Sequence, residues 1–273
     1  MDQSTSESLR FPPVAGRTVR AEFDGGAMSS DVGPLILRGI DQQIGLIDRL
    51  VQAVDDRRHP SYVAHSLHDL FTQRIFQIAC GYADGNDANA LRTDPLFKLG
   101  VNRHPLVQAM DLASAPTFSR LENAVSTRDL YRVARAFVDQ FIASYPQPPA
   151  VIVLDLDHSE DPTHGQQEFS FYNHYYRHHC YLPLFLFEGL SGKFITAALR
   201  PGQRPTGAEN AMIVTRVVKH LRAVWPRTRI VLRGDAHFAN PELMQLAVDD
   251  PAIDFLFGLA GNQALSPLAE PFL

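Results

Sequence analysis

The sequence predicts a mixed α/β domain preceded by a mostly helical one. Apolar residues recur at the three- and four-residue spacing of amphipathic helices from Asp31 to about Tyr145. Beyond the proline-rich stretch PQPPA the apolar residues instead form short continuous runs of strand length. We therefore predict a helical region over residues 1–148 and an α/β region over residues 149–273.

Composition restricts the class of protein without identifying it. Hydrophobic residues make up 45% and charged residues 20% of the 273 residues, as in ordinary globular domains. No apolar run approaches the ~18 residues of a membrane span, and the N-terminus lacks the basic and apolar regions of a signal peptide. Two isolated cysteines favour a reducing compartment. The expected location is the cytoplasm, with no membrane partner.

The helical region is predicted to begin after a short N-terminal strand. Residues 1–16 are polar and contain prolines, so we expect no regular structure there, whereas RTVRAEFD at 17–24 alternates as a strand does. Two amphipathic patterns follow, in DQQIGLIDRLVQAV and SYVAHSLHDLFTQRIFQIACGY. Ser61 is the predicted N-cap of the second helix.

The α/β region has the element order β-β-β-α-β-α-β. Its runs, in order, are VIVLDLD, YLPLFLFEG, KFITAAL, GAENAMIVTRVVKHLRAVW, RIVLRGD, PELMQLAV and IDFLFGL. The first three strands would form a meander, and the fourth would return through a helix to lie beside the first. This order predicts a ribonuclease H-like mixed sheet with flanking helices.

Two of these strands end in aspartate. Asp157 closes the first strand and Asp235 follows the fourth, so the predicted topology brings their carboxylates together. Such hard oxygen ligands suit Mg²⁺ or Mn²⁺, and paired cations support in-line displacement at phosphorus. The alternative is that each aspartate only forms a turn or caps a helix.

Four neighbouring residues are candidates for contacting substrate or supporting the aspartates: Asp155, His164, Arg233 and His237. Asp155 either points to the opposite face of the sheet or supports the site. LDLD also resembles the opening motif of haloacid-dehalogenase-type phosphatases, in which Asp155 would be the nucleophile. That family has a later acid pair, whereas here Ala239 stands four residues after Asp235.

The segment FYNHYYRHHCY contains His174, His178, His179 and Cys180. His174 and His178 would share a face if the segment were helical, which raises the possibility of zinc. No second pair of ligands lies nearby, and the aromatic content indicates an edge segment that packs on the sheet or touches DNA bases.

Several stretches together resemble one family. LDLDHSEDPTHGQQEFSFYNHYYRHHCYLPLF, LRPG and WPRTRIVLRGDAHF are similar to the catalytic core of bacterial insertion-sequence transposases of the DDE type. SSDVGPLILRGID, RIFQIACGYADGNDANALRTDPLFK and SAPTFSRLENAV resemble the N-terminal helical region of that family. The resemblance implies Mg²⁺-dependent cleavage and strand transfer at the terminal inverted repeats of a transposon. Asp157 and Asp235 match its first and second catalytic acids.

The chain departs from that family pattern at the third acid, a glutamate on a helix well downstream. The acids that follow the second aspartate do not match this position; they are Glu242, Asp249, Asp250, Asp254 and Glu270. We therefore expect a C-terminally truncated transposase with little or no cleavage activity alone. A non-catalytic DNA-binding remnant is the alternative function.

DNA contacts are predicted in both regions. In SAPTFSRLENAV, Arg120 and Asn123 would face DNA if this helix and a preceding short helix form a helix-turn-helix motif; a plain bundle helix is the alternative. The net charge of −5 argues against a dedicated DNA binder. However, Arg216, Lys219 and Arg222 lie in an acid-free stretch, which either neutralises phosphates or is a solvated helix face. A homodimer on double-stranded DNA would fit this function.

Overall fold

The computed structural model describes residues 8–22, 31–259 and 266–270, and the chain forms two compact units, 1–133 and 134–273. The division falls inside the helix Thr127–Ala143, before the boundary predicted at residue 148. Val138 and Phe141 explain this position, because they belong to the hydrophobic core of the second unit.

The first unit opens with a β-hairpin. Strands β1 (Leu9–Val14) and β2 (Arg17–Ala21) pair antiparallel, with a shift of register between Phe11 and Val14. The strand predicted at residues 17–24 is confirmed as β2, which spans Arg17–Ala21. The expectation of no regular structure before residue 17 is wrong for residues 9–14, because the register shift accommodates the two prolines. Residues 1–7 and 23–24 lie outside the described residues.

The other regular elements described in the first unit are helical. In chain order they are α1 (Gly33–Ile44), α2 (Leu46–Ala53), α3 (Leu67–Ala79), α4 (Asp87–Leu91), α5 (Pro95–Gly100), α6 (Ala115–Ala124) and the first part of α7 (Thr127–Ala143). Short 3₁₀ turns lie at Pro60–Tyr62 and Gln108–Met110. The prediction of a mostly helical N-terminal region is confirmed.

Helix α3 begins later than predicted. Its N-cap is Ser66, whose hydroxyl accepts from the Asp69 amide while the Asp69 carboxylate accepts from the Ser66 amide. This reciprocal capping box satisfies two amides that would otherwise lack partners. Ser61, the predicted N-cap, lies in the preceding 3₁₀ turn.

Buried polar side chains connect the elements of the first unit. Gln73 on α3 exchanges two 2.9 Å hydrogen bonds with the backbone of Ala113. The Arg38 guanidinium on α1 donates to Asn102 and to the carbonyls of Pro12 and Pro13 in β1. These bonds compensate for the burial of polar groups, and they hold the hairpin to the helices.

The second unit is built on a five-stranded sheet. Its strands are β3 (Val151–His158), β7 (Leu184–Glu188), β8 (Phe194–Ala198), β9 (Arg229–Gly234) and β10 (Ile253–Phe257), arranged in the order β10-β9-β3-β7-β8. β7 is antiparallel to both β3 and β8, while β9 is parallel to β3 and β10. A three-strand meander followed by two parallel strands on the other side of the first is the ribonuclease H-like topology, and the predicted fold class is confirmed.

One face of this sheet is covered by helices. Alternate residues of β3 point to opposite faces, and Ile152, Leu154 and Leu156 point into the main core. They pack there with residues of α7, of α8 (Gly207–Val224) and of α9 (Pro241–Asp249). Val153, Asp155 and Asp157 share the opposite face. The core therefore fixes β3 from one side and leaves its acidic residues on the other.

A second, three-stranded sheet lies between β3 and β7 in the chain. It consists of β4 (Asp161–Pro162), β5 (Phe171–Asn173) and β6 (His178–Tyr181) in the order β4-β6-β5. His174 lies in the turn and His178 on the returning strand, so the helical spacing considered for a zinc site does not occur. A short helix α10 (Ser266–Ala269) follows the large sheet in the chain. Among the described helices, none has the length and apolar character to span a bilayer.

Candidate active site

Asp157 and Asp235 come from neighbouring parallel strands in matched positions. Leu156 of β3 pairs with Gly234 of β9, so the two aspartates are the next residues on the two strands. Asp157 is exposed, and the Asp235 side chain is 63% exposed. The structure thus brings together the two residues that the strand order predicted.

The two carboxylates interact electrostatically. Partial burial and the negative charge of Asp235 raise the pKa of Asp157. Asp235 is held by its own turn, since its Oδ1 accepts from the His237 amide at 2.8 Å and His237 Nδ1 lies 3.8 Å from its Oδ2. Repulsion between two fixed carboxylates is relieved by a proton or by a cation.

Asp155 and Arg233 form an ion pair on the same face, two residues before the aspartates. They are cross-strand partners, and the Arg233 Nη2 donates to Asp155 Oδ2 at 2.5 Å while its Nε donates to Oδ1. Gly189 packs against them, because a Cβ there would lie 2.6 Å from Asp155 Oδ2 and from Arg233 Nη2. Asp155 therefore shares the face of Asp157, and the alternative of the opposite face is wrong.

A stacked pair of rings lies on the core side of the site. His158, directly after Asp157, stacks on Phe238 with ring centroids 4.9 Å apart and an interplanar angle of 2°. Burial lowers the pKa of His158 to about 4, so the ring is neutral at neutral pH. Gly234 leaves room for this pair, since a Cβ there would lie 2.6 Å from Phe238 Cδ2.

Sequence reasoning missed the roles of His158, Phe238 and Gly234. The residues stood in the motifs already singled out, LDLDH and RGDAHF, but only the strand register shows that both motifs meet at this stack. A glycine directly before a strand-end aspartate was the available signal.

The chain matches the family model described as transposase DDE domain group 1 over residues 11–273. The chain belongs to this transposase family. The predicted resemblance to DDE-type transposases is confirmed. No curated protein matches the chain.

Three solved structures show weaker likeness to this transposase domain. The piggyBac transposase synaptic complex with hairpin DNA is 15% identical, with a TM-score of 0.42, over 88% of this chain and 54% of that chain. The Mos1 strand transfer complex is 10% identical, with a TM-score of 0.27, over 88% and 81% of the two chains. The simian T-cell lymphotropic virus intasome with a PP2A regulatory subunit is 16% identical, with a TM-score of 0.25, over 55% and 49%. The chain spans about half the length of the piggyBac chain it matches.

The remaining candidates near the transposase site differ in position. His237 lies in the Asp235 turn, whereas His164 is exposed between β4 and β5 and has no hydrogen bond or ion pair to either aspartate within the described residues. Among all the residues that the structure describes, no group of three or more His, Cys, Asp and Glu side chains is placed to hold a metal ion. The site as described therefore offers two carboxylates.

The basic residues of α8 separate into two groups. Arg216 and Lys219 are exposed. Arg222 instead donates to Asp250 at 2.8 Å, to the Ala252 carbonyl at 3.1 Å and to the Thr228 carbonyl. Its guanidinium connects α8 to the segments flanking β9 and β10, so a structural role accounts for Arg222 where a DNA contact was predicted.

Helix α6 carries the two predicted groove-facing residues. Both are exposed, but Arg120 donates to Thr117 Oγ1 at 3.2 Å and Asn123 to the Ser119 carbonyl at 2.7 Å, within their own helix. The segment before α6 contains a three-residue 3₁₀ turn instead of the expected short helix. The element that precedes α6 is therefore a 3₁₀ turn, whereas a helix-turn-helix motif requires a helix there. This arrangement favours the alternative that α6 is a plain bundle helix.

Proposed function

We propose that this chain is the catalytic region of a DNA transposase that cleaves and joins DNA at transposon ends by in-line phosphoryl transfer. The single observation that carries the proposal is the side-by-side placement of Asp157 and Asp235 at the ends of parallel strands. Family membership supports the reaction class. The two aspartates are the proposed catalytic residues.

The aspartate pair fits a divalent cation. Two exposed carboxylates with mutual repulsion are hard oxygen donors, and they leave coordination positions for water and phosphate oxygen. When bound, Mg²⁺ or Mn²⁺ would supply charge neutralisation at the reacting phosphate. The protein's part is to orient both carboxylates, which the β3–β9 ladder and the His237 amide do on this face.

Double-stranded DNA with terminal inverted repeats is the proposed substrate, and we place the protein in the bacterial cytoplasm as a homodimer on that DNA. Exposed Arg216 and Lys219 on α8 are suited to phosphate contacts, which position DNA without reading its sequence. Arg120 and Asn123 on α6 are proposed as additional contacts from the first unit.

A non-catalytic DNA-binding protein is the second candidate. It is favoured by one observation, the lack of a third metal-binding side chain beside the two aspartates in the described part of the chain. The phosphatase alternative loses support, because both oxygens of its proposed nucleophile, Asp155, already accept hydrogen bonds from Arg233.

The experiment compares DNA binding and strand cleavage with and without Mg²⁺ or Mn²⁺. A labelled transposon-end duplex is incubated with the wild-type chain, with Asp157→Asn, and with Asp249→Asn, which removes an exposed carboxylate from α9. If the chain is a transposase, we expect cation-dependent cleavage or cation-enhanced DNA binding, and of the two variants only Asp157→Asn should abolish it. DNA binding that depends neither on the cation nor on Asp157 would instead support the non-catalytic candidate.

A further inference from the structure

The second unit carries an exposed aromatic hairpin beside the candidate active site. We define the aromatic hairpin as residues 171–181, which comprise β5, a tight turn and β6. Tyr175 at its turn is 85% exposed and Tyr172 on β5 is 47% exposed. Rings exposed to this degree forgo the free energy that burial of their apolar surface would give. Several such rings in one short segment therefore require an explanation.

The backbone of the aromatic hairpin is fixed even though its rings are exposed. Asn173 Oδ1 accepts from the amides of Tyr175 and Tyr176 at 3.0 and 3.3 Å, and Asn173 Nδ2 donates to the Gly202 carbonyl at 3.0 Å. Arg177, at φ +64°, closes the turn by donating its amide to the Asn173 carbonyl at 2.7 Å. The backbone that carries the exposed rings is therefore fixed before any ligand binds.

The rings form two groups. On one face, Tyr172 makes edge contacts with His174 and His179, with ring centroids 5.2 and 5.6 Å apart. At the turn, Tyr175 and Tyr176 meet edge to face at 4.9 Å. Each group presents a π surface with a polar rim, and such surfaces stack on flat partners at low cost in side-chain entropy.

The aromatic hairpin lies close to Asp157, one of the two proposed catalytic residues. It follows β3 in the chain, and burial together with the charges of Glu160, Tyr175 and Asp157 raises the pKa of Tyr176. His178 is held 3.1 Å from Glu160, three residues after Asp157. The aromatic hairpin is therefore anchored beside the segment that follows Asp157.

We propose that the aromatic hairpin binds unpaired nucleobases at the DNA end being cut, with Tyr175 and Tyr172 as its stacking residues. This inference rests on the proposed function and adds a substrate feature to it, a single-stranded or distorted end. Stacking requires an open base face, which a continuous duplex does not offer. Each base stacked on an aromatic side chain strengthens binding by about 5- to 150-fold.

The charge of the segment favours this partner over a paired duplex. Within residues 171–181 the one permanently charged side chain is Arg177, so phosphate neutralisation is a minor part of what the segment can offer. Aromatic rings interleaved with histidine and asparagine suit base faces and base edges. An interface between two copies of the chain would instead need a continuous apolar area, and the polar side chains interrupt it here.

The test uses the full chain and two DNA probes of the same sequence, a blunt duplex and a duplex with a single-stranded overhang. The first unpaired base is 2-aminopurine, whose fluorescence falls when it stacks on a tyrosine. We expect Tyr175→Ala and Tyr172→Ala each to weaken overhang binding about 5-fold or more and to restore the fluorescence. Tyr175→Phe keeps the ring and should bind as the wild type does.

The matched control is Tyr62→Ala, because Tyr62 lies in the first unit and is 87% exposed. It should leave both probes unaffected, and blunt-duplex binding should survive every variant. Equal weakening by Tyr62→Ala and Tyr175→Ala, or equal loss on both probes, overturns the inference while DNA binding stands. A change of oligomeric state alone assigns the segment to a second copy and also overturns it. Failure to bind either probe refutes the proposed function itself.

Discussion

Two pairs of side chains on the same two strands show opposite electrostatics. Asp155 and Arg233 face each other across β3 and β9 as an ion pair, and two residues further along Asp157 and Asp235 occupy the next matched positions with like charges. Both pairs lie on one face of one sheet. The charges of the first pair cancel within the protein, whereas the second pair combines two like charges.

The difference distinguishes a pair that is satisfied within the protein from the pair that we propose binds a cation. Asp155 has both of its oxygens occupied, and the pair packs on Gly189. At Asp157 the charged form is disfavoured, because burial and the nearby charge of Asp235 raise its pKa. A proton or a cation relieves such repulsion, and under the proposed function a cation does so at the strand ends.

The largest expected effect concerns stabilisation by cations. If Mn²⁺ is present at about 100 times its Kd, the wild-type chain should gain about 2.7 kcal/mol in free energy of unfolding. If Asp157→Asn or Asp235→Asn weakens binding about 100-fold, as loss of a ligand group should, the gain falls to about 0.4 kcal/mol. Thermal melting with and without Mn²⁺ measures both.

Two controls accompany that measurement. Without cation the aspartate variants should melt no lower than the wild type, because each removes a repulsion. Asp249→Asn should retain the full gain, since it leaves the pair intact. An undiminished Mn²⁺ effect in both aspartate variants would mean that the cation binds elsewhere, and the contrast between the two pairs would then lose its functional meaning.

The second prediction concerns the turn that carries Asp235. Gly234→Ala places a methyl group 2.6 Å from Phe238 Cδ2, so the ring stack with His158 must shift. Overpacking of this kind costs about 1–3 kcal/mol, measurable by urea denaturation. Because the displaced ring lies beside Asp235, the variant should also reduce the cation-induced gain in stability.

Gly39 provides the matched control for that substitution. It lies within α1, and an added Cβ would meet nothing within 4 Å. Gly39→Ala should therefore stabilise the chain by about 0.5–1 kcal/mol through helix propensity. A stabilising effect of Gly234→Ala as well would show that the turn has more room than the structure indicates.

The third prediction concerns the neutral pair. The side chains of Arg233 and Asp155 are 43% and 31% exposed, so solvent screens their attraction, and Arg233→Met should lower the stability only slightly. Asp155→Asn should cost less, because the amide can still accept one bond. A double-mutant cycle isolates the coupling. Cation binding should remain within a few-fold of the wild type, unlike in Asp157→Asn.

Sequence periodicity predicted the parts of the structure that depend on local pattern. Strand-length runs and their order were sufficient for the sheet, and the two strand-end aspartates followed from that order. The β1 strand escaped prediction because its prolines argue against a strand unless a register shift accommodates them. Local propensity carries no information about such pairing.

The partners of individual side chains could not be predicted in the same way. Arg222 fits a DNA-contact pattern along the helix, yet its guanidinium donates hydrogen bonds to carbonyl oxygens in segments up to 30 residues away in sequence. Asp155 is distinguished from Asp157 by its ion pair with Arg233, which is 78 residues away in sequence. Both assignments depend on contacts between distant segments, so they require the structure.

The smallest expected effect tests the repulsion directly. Burial and the Asp235 charge raise the pKa of Asp157, so its carboxyl keeps a proton to higher pH than an unperturbed aspartate does. Stability therefore declines as pH rises through that pKa, because the folded state holds the proton more tightly than the unfolded state.

Asp235→Asn removes one of the two causes of the raised Asp157 pKa, so that pKa should fall while the contribution of burial remains. Carbon-detected NMR titration of the carboxyl group follows this, and Arg233→Met serves as a comparison. If Arg233→Met moved the Asp157 pKa more than Asp235→Asn does, the neutral pair would be the main influence on Asp157, and the two pairs could no longer be treated as separate.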